Sequence, residues 1–154
     1  MQRKEIEKKI IKRFDELSSI FPGEINPNDF RVKKILKFLG KPSDKKILDL
    51  GCGKGRFCRK LKDAGFMNII GAEPSKELIK TARRNNKDIE FIQASATDMP
   101  FSDDEFDYLI CIEVLGHIPD TEKAVNEMAR VLKPGGKLFI IDKSILSLDP
   151  LYFI

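Results

Sequence analysis

The chain has 154 residues, 42% hydrophobic and 34% charged, with a formal net charge of +4, values that suit one domain with a real core rather than two. No apolar run is long enough to cross a membrane, the charged start "MQRKEIEKKIIKRF" lacks a secretory segment, and Cys52, Cys58 and Cys111 form no C-x-x-C pair beside the single His117, which argues against a structural zinc site. The lysines are interleaved with acids, so the mild positive excess reads as a solvated surface, and the sparse, unpaired cysteines fit a reducing cytoplasm.

In chain order, residues 4–18 read as an amphipathic helix, with Ile6, Ile10, Phe14 and Leu17 recurring at helical spacing. "FPGEINPND" is a loop by its Pro, Gly and Asn content. Asp29 caps a second helix with Val32, Ile35, Leu36 and Leu39 on one face, and Gly40 ends it. This N-terminal segment, 1–40, is expected to be either a lid or plain packing for a main domain over 41–154.

From there short apolar strands alternate with amphipathic helices. "KILDLG", "NIIGAE", "IEFIQA", "FDYLICIE" and "KLFIID" are the expected strands. "GRFCRKLKDAG", "PSKELIKTARRNN" and "DTEKAVNEMARVLK" are the helices between them, the second capped by Ser75, the third with Val125, Met128, Ala129 and Leu132 turned inward. "SATDMPFSDDE" leaves little room for a helix, so the third crossover should be mostly loop, and "PGG" should turn the chain into the fifth strand. The pattern is that of an α/β fold, a doubly wound and mostly parallel sheet with helices on both faces.

In such sheets a ligand sits outside the carboxyl ends of the strands, where the strand order reverses. The first strand leads into "DLGCGKG", with Gly51, Gly53 and Gly55 at alternate positions, and a ligand is expected to lie there against bare backbone at a helix N-terminus. The spacing is not that of a P-loop, and Arg56 stands where a dinucleotide fingerprint needs its third glycine. Glu73 ends the second strand, twenty residues beyond Gly53, where a carboxylate can accept both hydroxyls of a ribose.

Together "DLGCGKG", "GAEPS", "MPFSDDEFDYLICIEVLGHIPD" and "RVLKPGGKLFI" resemble the class I methyltransferases that use S-adenosylmethionine, in particular their small-molecule branch, over about residues 30–143. The resemblance implies a Rossmann-like methyltransferase fold with S-adenosylmethionine as cofactor. It implies that backbone around Gly51, Cys52 and Gly53 holds the methionine end, that Asp49 orients the loop or the ammonium, and that Glu73 holds the ribose diol. It also implies an acid after the third strand for the adenine amino group, but Ser95 stands there, followed by Ala96, whose amide would face the ring; Asp98 is the expected substitute. Ile70 and Pro74 are either packing or adenine walls, and Ile112 completes the expected cofactor set.

The acceptor should meet the methyl at "EVLGHIPD", where Glu113 and His117 are the polar candidates. His117 is a general base or a packed or capping residue; Glu113 orders the loop, touches the cofactor or takes part in catalysis. No Asn- or Asp-Pro-Pro-aromatic motif follows strand four and no acidic trio for magnesium is evident, which favours a small-molecule acceptor over nucleic acid. The family sheet usually continues past strand five, and here the last strands are missing from the expected elements. The tail "KSILSLDPLYFI" therefore folds back over the sheet, or a second copy covers strand five in a homodimer, or the chain is a fragment of a longer one. The expected function is methyl transfer to a small molecule. The alternatives are a cofactor-binding module without turnover, an RNA-modifying enzyme and a nicotinamide oxidoreductase.

Overall fold

A computed structural model describes residues 2–143. The N-terminal segment forms α1 (Gln2–Glu16), a 3-10 turn (Ser18–Ile20) and α2 (Phe30–Leu39). Then follow β1 (Ile47–Leu50), α3 (Arg56–Asp63), β2 (Ile69–Glu73), α4 (Lys76–Asn85), β3 (Glu90–Gln93), β4 (Phe106–Ile112), a second 3-10 turn (Leu115–His117), α5 (Thr121–Val131) and β5 (Leu132–Ile141). The caps explain several boundaries. The Asp29 side chain accepts from the Arg31 amide, and Ser75 accepts from that of Leu78; each such cap contributes about 1 kcal/mol. Gly40, at φ +75°, ends α2 with its amide donating to Leu36.

All strand pairs are parallel, in the order β3-β2-β1-β4-β5. The chain builds outward from β1 through β2 to β3, then returns to the other side of β1 with β4 and β5. The order therefore reverses between β1 and β4, and a crevice opens at their carboxyl ends. β1 is buried at every residue, as a central parallel strand must be. Ile47, Ile69 and Ile110 pack on one face against Ile35, Leu61 and Ile79 of α2, α3 and α4. Leu48, Leu50, Ile70 and Leu109 pack on the other against Met128 and Val131 of α5. Helices thus cover both faces. The β3–β4 connection is loop, as expected, and its Ala96, Met99 and Phe101 fill the space a helix would take.

Three expectations need correction. α1 starts and ends two residues earlier than expected, so Leu17 falls outside it, and Ile6 is exposed. In α5 the buried face is Ala124, Met128 and Val131; Val125 and Ala129 face solvent, and Leu132, already in β5, is half-buried. The two stripes differ by one residue, a 100° rotation, and both are apolar. The "PGG" segment does not precede β5 but bulges within it: Phe106 pairs with Leu132 and Tyr108 with Lys137, so two steps on β4 face five on β5.

Among the described residues β5 pairs only with β4 and forms an edge, with Leu138 and Ile140 exposed. The tail 144–154, on which the fold-back, second-copy and fragment readings turn, lies outside the described residues. No described helix is long and apolar enough to cross a membrane.

The phase of α5 is testable by urea unfolding. Met128→Ala removes a fully buried side chain and should cost about 2–5 kcal/mol. Val125→Ala, on the exposed side, should stay within about 0.5 kcal/mol of wild type. Equal losses would contradict the observed orientation.

Candidate functional site

The glycine loop joins β1 to α3 at the crevice. Gly51, Gly53 and Gly55 all have positive φ, +74°, +54° and +78°, which side chains tolerate poorly. Their surroundings differ. A Cβ on Gly51 would collide with the side chain of Val114, and one on Gly55 would lie 2.7 Å from Cζ of Phe91. At Gly53 no atom comes within 4 Å of that position. Of the three glycines, Gly53 alone has open space where a side chain would begin. The other two make room for the protein's own side chains.

Glu73, at the tip of β2, is buried beneath this loop. Its Oε2 accepts the Gly53 amide at 3.0 Å and its Oε1 the Ser75 amide at 2.9 Å. Burial raises its pKa to about 7, against the pull of those two amides; the nearby acids Asp49 and Asp15 push it further up. Asp49, wholly buried, is raised to about 6 by the same loss of solvent, opposed by the Cys58 thiol, which donates to Oδ2 at 3.1 Å, and by Arg56. A carboxylate offers about four acceptor positions, so Glu73 retains free lone pairs beyond its two amide bonds.

The loop and strand tips floor a cavity of about 200 Å³. Asp49, Gly51, Cys52, Gly53, Glu73 and Pro74 line it from the β1 and β2 side. Ser95 and Ala96 line it beyond β3, and Ile112, Glu113 and His117 beyond β4. The structure thus brings all the residues singled out as cofactor-binding or catalytic around one space. Ile70 does not reach it and belongs to the core. Nor does Asp98, which is exposed and donates its amide to the Ser95 carbonyl; the expected substitution of Asp98 for Ser95 fails because its side chain is outside the cavity.

The sequence reading gave the N-terminal segment as a lid or packing but named none of its residues as part of the site. Glu7, Ile10, Ile11 and Phe14 of α1 line the cavity, with Phe21 and Pro22 of the following loop. α1 fully buries no residue. Polar bonds hold it. The Glu7 carboxylate accepts from the hydroxyls of Ser95 and Thr97, and Asp15 accepts from the Ser75 hydroxyl at 2.5 Å and the Glu77 amide at 3.1 Å. Lys54 of the glycine loop donates to the Phe21 carbonyl at 2.6 Å. A signal was present: Glu7, Ile11 and Asp15 recur every four residues, on one face of a helix.

On the β4 side Glu113 sits at φ +57°, its amide donating to the Ile141 carbonyl at 2.6 Å. Its Oε2 accepts from Arg31 at 3.1 Å, and Arg31 is itself clamped by Asp29 and lies over the Phe57 ring. Arg31, another residue the sequence reading missed, thus ties α2 to the end of β4. His117, in the 3-10 turn after β4, meets the Phe14 ring edge-on at 5.2 Å between centroids.

Comparison with known proteins agrees with this geometry. A family model described as a methyltransferase domain matches residues 48–140. The ubiquinone/menaquinone biosynthesis C-methyltransferase UbiE of Vibrio campbellii is 34% identical over 122 residues, 73% of this chain and 46% of that protein. A ubiquinone biosynthesis O-methyltransferase of Aliivibrio fischeri is 30% identical over 141 residues, 84% of this chain and 60% of its own. Among solved structures, a protein from Pyrococcus horikoshii superposes with a TM-score of 0.67 at 33% identity, over 81% of this chain and 64% of the other. The chain spans about half the length of the curated relatives it matches. A family match that runs from β1 to β5, on a sheet whose reversal point carries the glycine loop and the β2 acid, means that the chain belongs to the class I S-adenosylmethionine-dependent methyltransferases.

Proposed function

We propose that this chain binds S-adenosylmethionine across the carboxyl ends of β1 and β2 and carries its methyl group to a small-molecule acceptor. The observation that supports this most directly is the open space over Gly53 beside the buried Glu73 carboxylate. It is a cradle that a Cβ would fill, next to an acceptor with lone pairs to spare for a ribose diol. The amides at the start of α3 suit a carboxylate, and Asp49 beneath them suits an ammonium. The bound cofactor supplies a methyl carbon made electrophilic by a positively charged sulfur.

The chain's task is then mainly alignment, which can contribute on the order of 7–11 kcal/mol. Glu113, held by Arg31, positions the loop that follows β4. His117 faces the same cavity and takes the proton of a hydroxyl acceptor. Phe14, Phe57 and Ile118 add apolar lining, suited to a flat, largely apolar acceptor. That chemistry fits the relatives, whose names place them in quinone biosynthesis.

Incubation with S-adenosylmethionine and a panel of phenols and quinols should release S-adenosylhomocysteine in proportion to methylated product. Binding without turnover on any acceptor would leave a cofactor-holding module. Glu73→Ala should weaken cofactor binding in calorimetry by about 1.5–3 kcal/mol. Ribose hydroxyls favour the ionised carboxyl, so binding releases a proton; wild-type affinity should rise with pH up to about 7 and level off above it, and the variant should lose that rise. Gly53→Val should abolish binding, because the added atoms enter the cavity and a side chain strains the loop at φ +54°, while far-ultraviolet dichroism stays native because the core is untouched.

A further inference from the structure

We infer that Glu7, on the helix that roofs the cavity, recognises the exocyclic amine of the cofactor's base, so that α1 is part of the cofactor site. The inference rests on the proposed binding across Gly53 and Glu73. Strand neighbours lie about 4.8 Å apart, so passing from β1 through β2 to β3 spans roughly 10 Å, about the reach of a nucleoside and its substituent. With the amino-acid end on the β1 loop and the ribose at the β2 tip, the base lies past β3, beside Ser95 and Ala96. The sheet offers no carboxylate there: Ser95 is neutral and Asp98 points away from the cavity.

α1 supplies one. Glu7 lines the cavity, and its carboxylate is fixed over this spot by the hydroxyls of Ser95 and Thr97. Those hydroxyls donate, so Glu7 is held as an acceptor group. Its remaining lone pairs can take an N–H from an amine but have nothing to take from a carbonyl. Asp15, two turns further along the same face, fixes the helix to the start of α4 through Ser75 and the Glu77 amide, which sets the depth of Glu7. The cover therefore reads the base as well as closing over it.

Calorimetry with S-adenosylhomocysteine and the analogue carrying hydrogen in place of the amine tests this, since an inosyl base would gain an N1–H that a carboxylate can also accept. The wild type should prefer the adenosyl compound by about ten- to hundredfold. Glu7→Ala should bring the ratio close to one, and Ser95→Asp added to it should restore the preference from the sheet side. A merely structural role for Glu7 would weaken both ligands alike; an unchanged ratio in Glu7→Ala overturns the inference even if Glu73→Ala weakens binding as expected. If the wild type binds neither compound, the cofactor reading itself falls, and this inference with it.

Discussion

The buried carboxylate of Glu73 is the constraint around which the site is arranged. By accepting the amides of Gly53 and Ser75 it joins the β2 tip to the glycine loop on one side and to the start of α4 on the other. Holding it there is costly. Below pH 4.5 the carboxyl is protonated in both folded and unfolded chains; between 4.5 and about 7 only the folded chain keeps the proton; above 7 the full penalty, about 3 kcal/mol, weighs on the native state. Asp49 adds a second penalty of the same sign, lost stability as pH rises toward 6. A fold that buries two acids on neighbouring strands, Asp49 in β1 and Glu73 at the end of β2, gives up stability for a site, the usual direction of such trade-offs.

The roof over that site is attached differently from the rest. The core helices bury apolar faces against the sheet, whereas α1 buries no residue fully: charged and hydroxyl contacts hold it beside the half-buried Ile10, Ile11 and Phe14, and Ile6 is exposed. Exposed ion pairs such as Arg3–Asp120 are worth roughly 0–1 kcal/mol. Segments with few buried contacts open at lower free energy than the core. The N-terminal segment, whether lid or packing, lines the cavity through Glu7, Ile10, Ile11 and Phe14.

Much of the fold was legible because its signals are local. Asp29, Ser75 and Gly40 mark helix ends through bonds within a few residues, and the apolar run of β1 is what a strand buried on both faces requires. The site was legible where a motif sits on the chain in one piece, as in the glycine loop and Glu73. Local signals fail where two answers are equally apolar. In α5 the stripes through Val125 and Val131 both satisfy helical spacing, and only the sheet decides which is buried. They fail too where a function is assembled from distant segments: Glu7 and Ser95 are 88 residues apart, Arg31 and Glu113 82.

The amino-acid order alone therefore determined the alternation of strands and helices, the glycine loop behind the first strand and the acid at the second strand tip, because periodicity, caps and glycine spacing act over a few residues. Tertiary structure decided which glycine has open space above it, that Glu113 is tied to an arginine, and that an acid from the first helix stands where the sheet has only a serine. Those outcomes depend on which surfaces meet across the fold, and no short-range pattern carries that information.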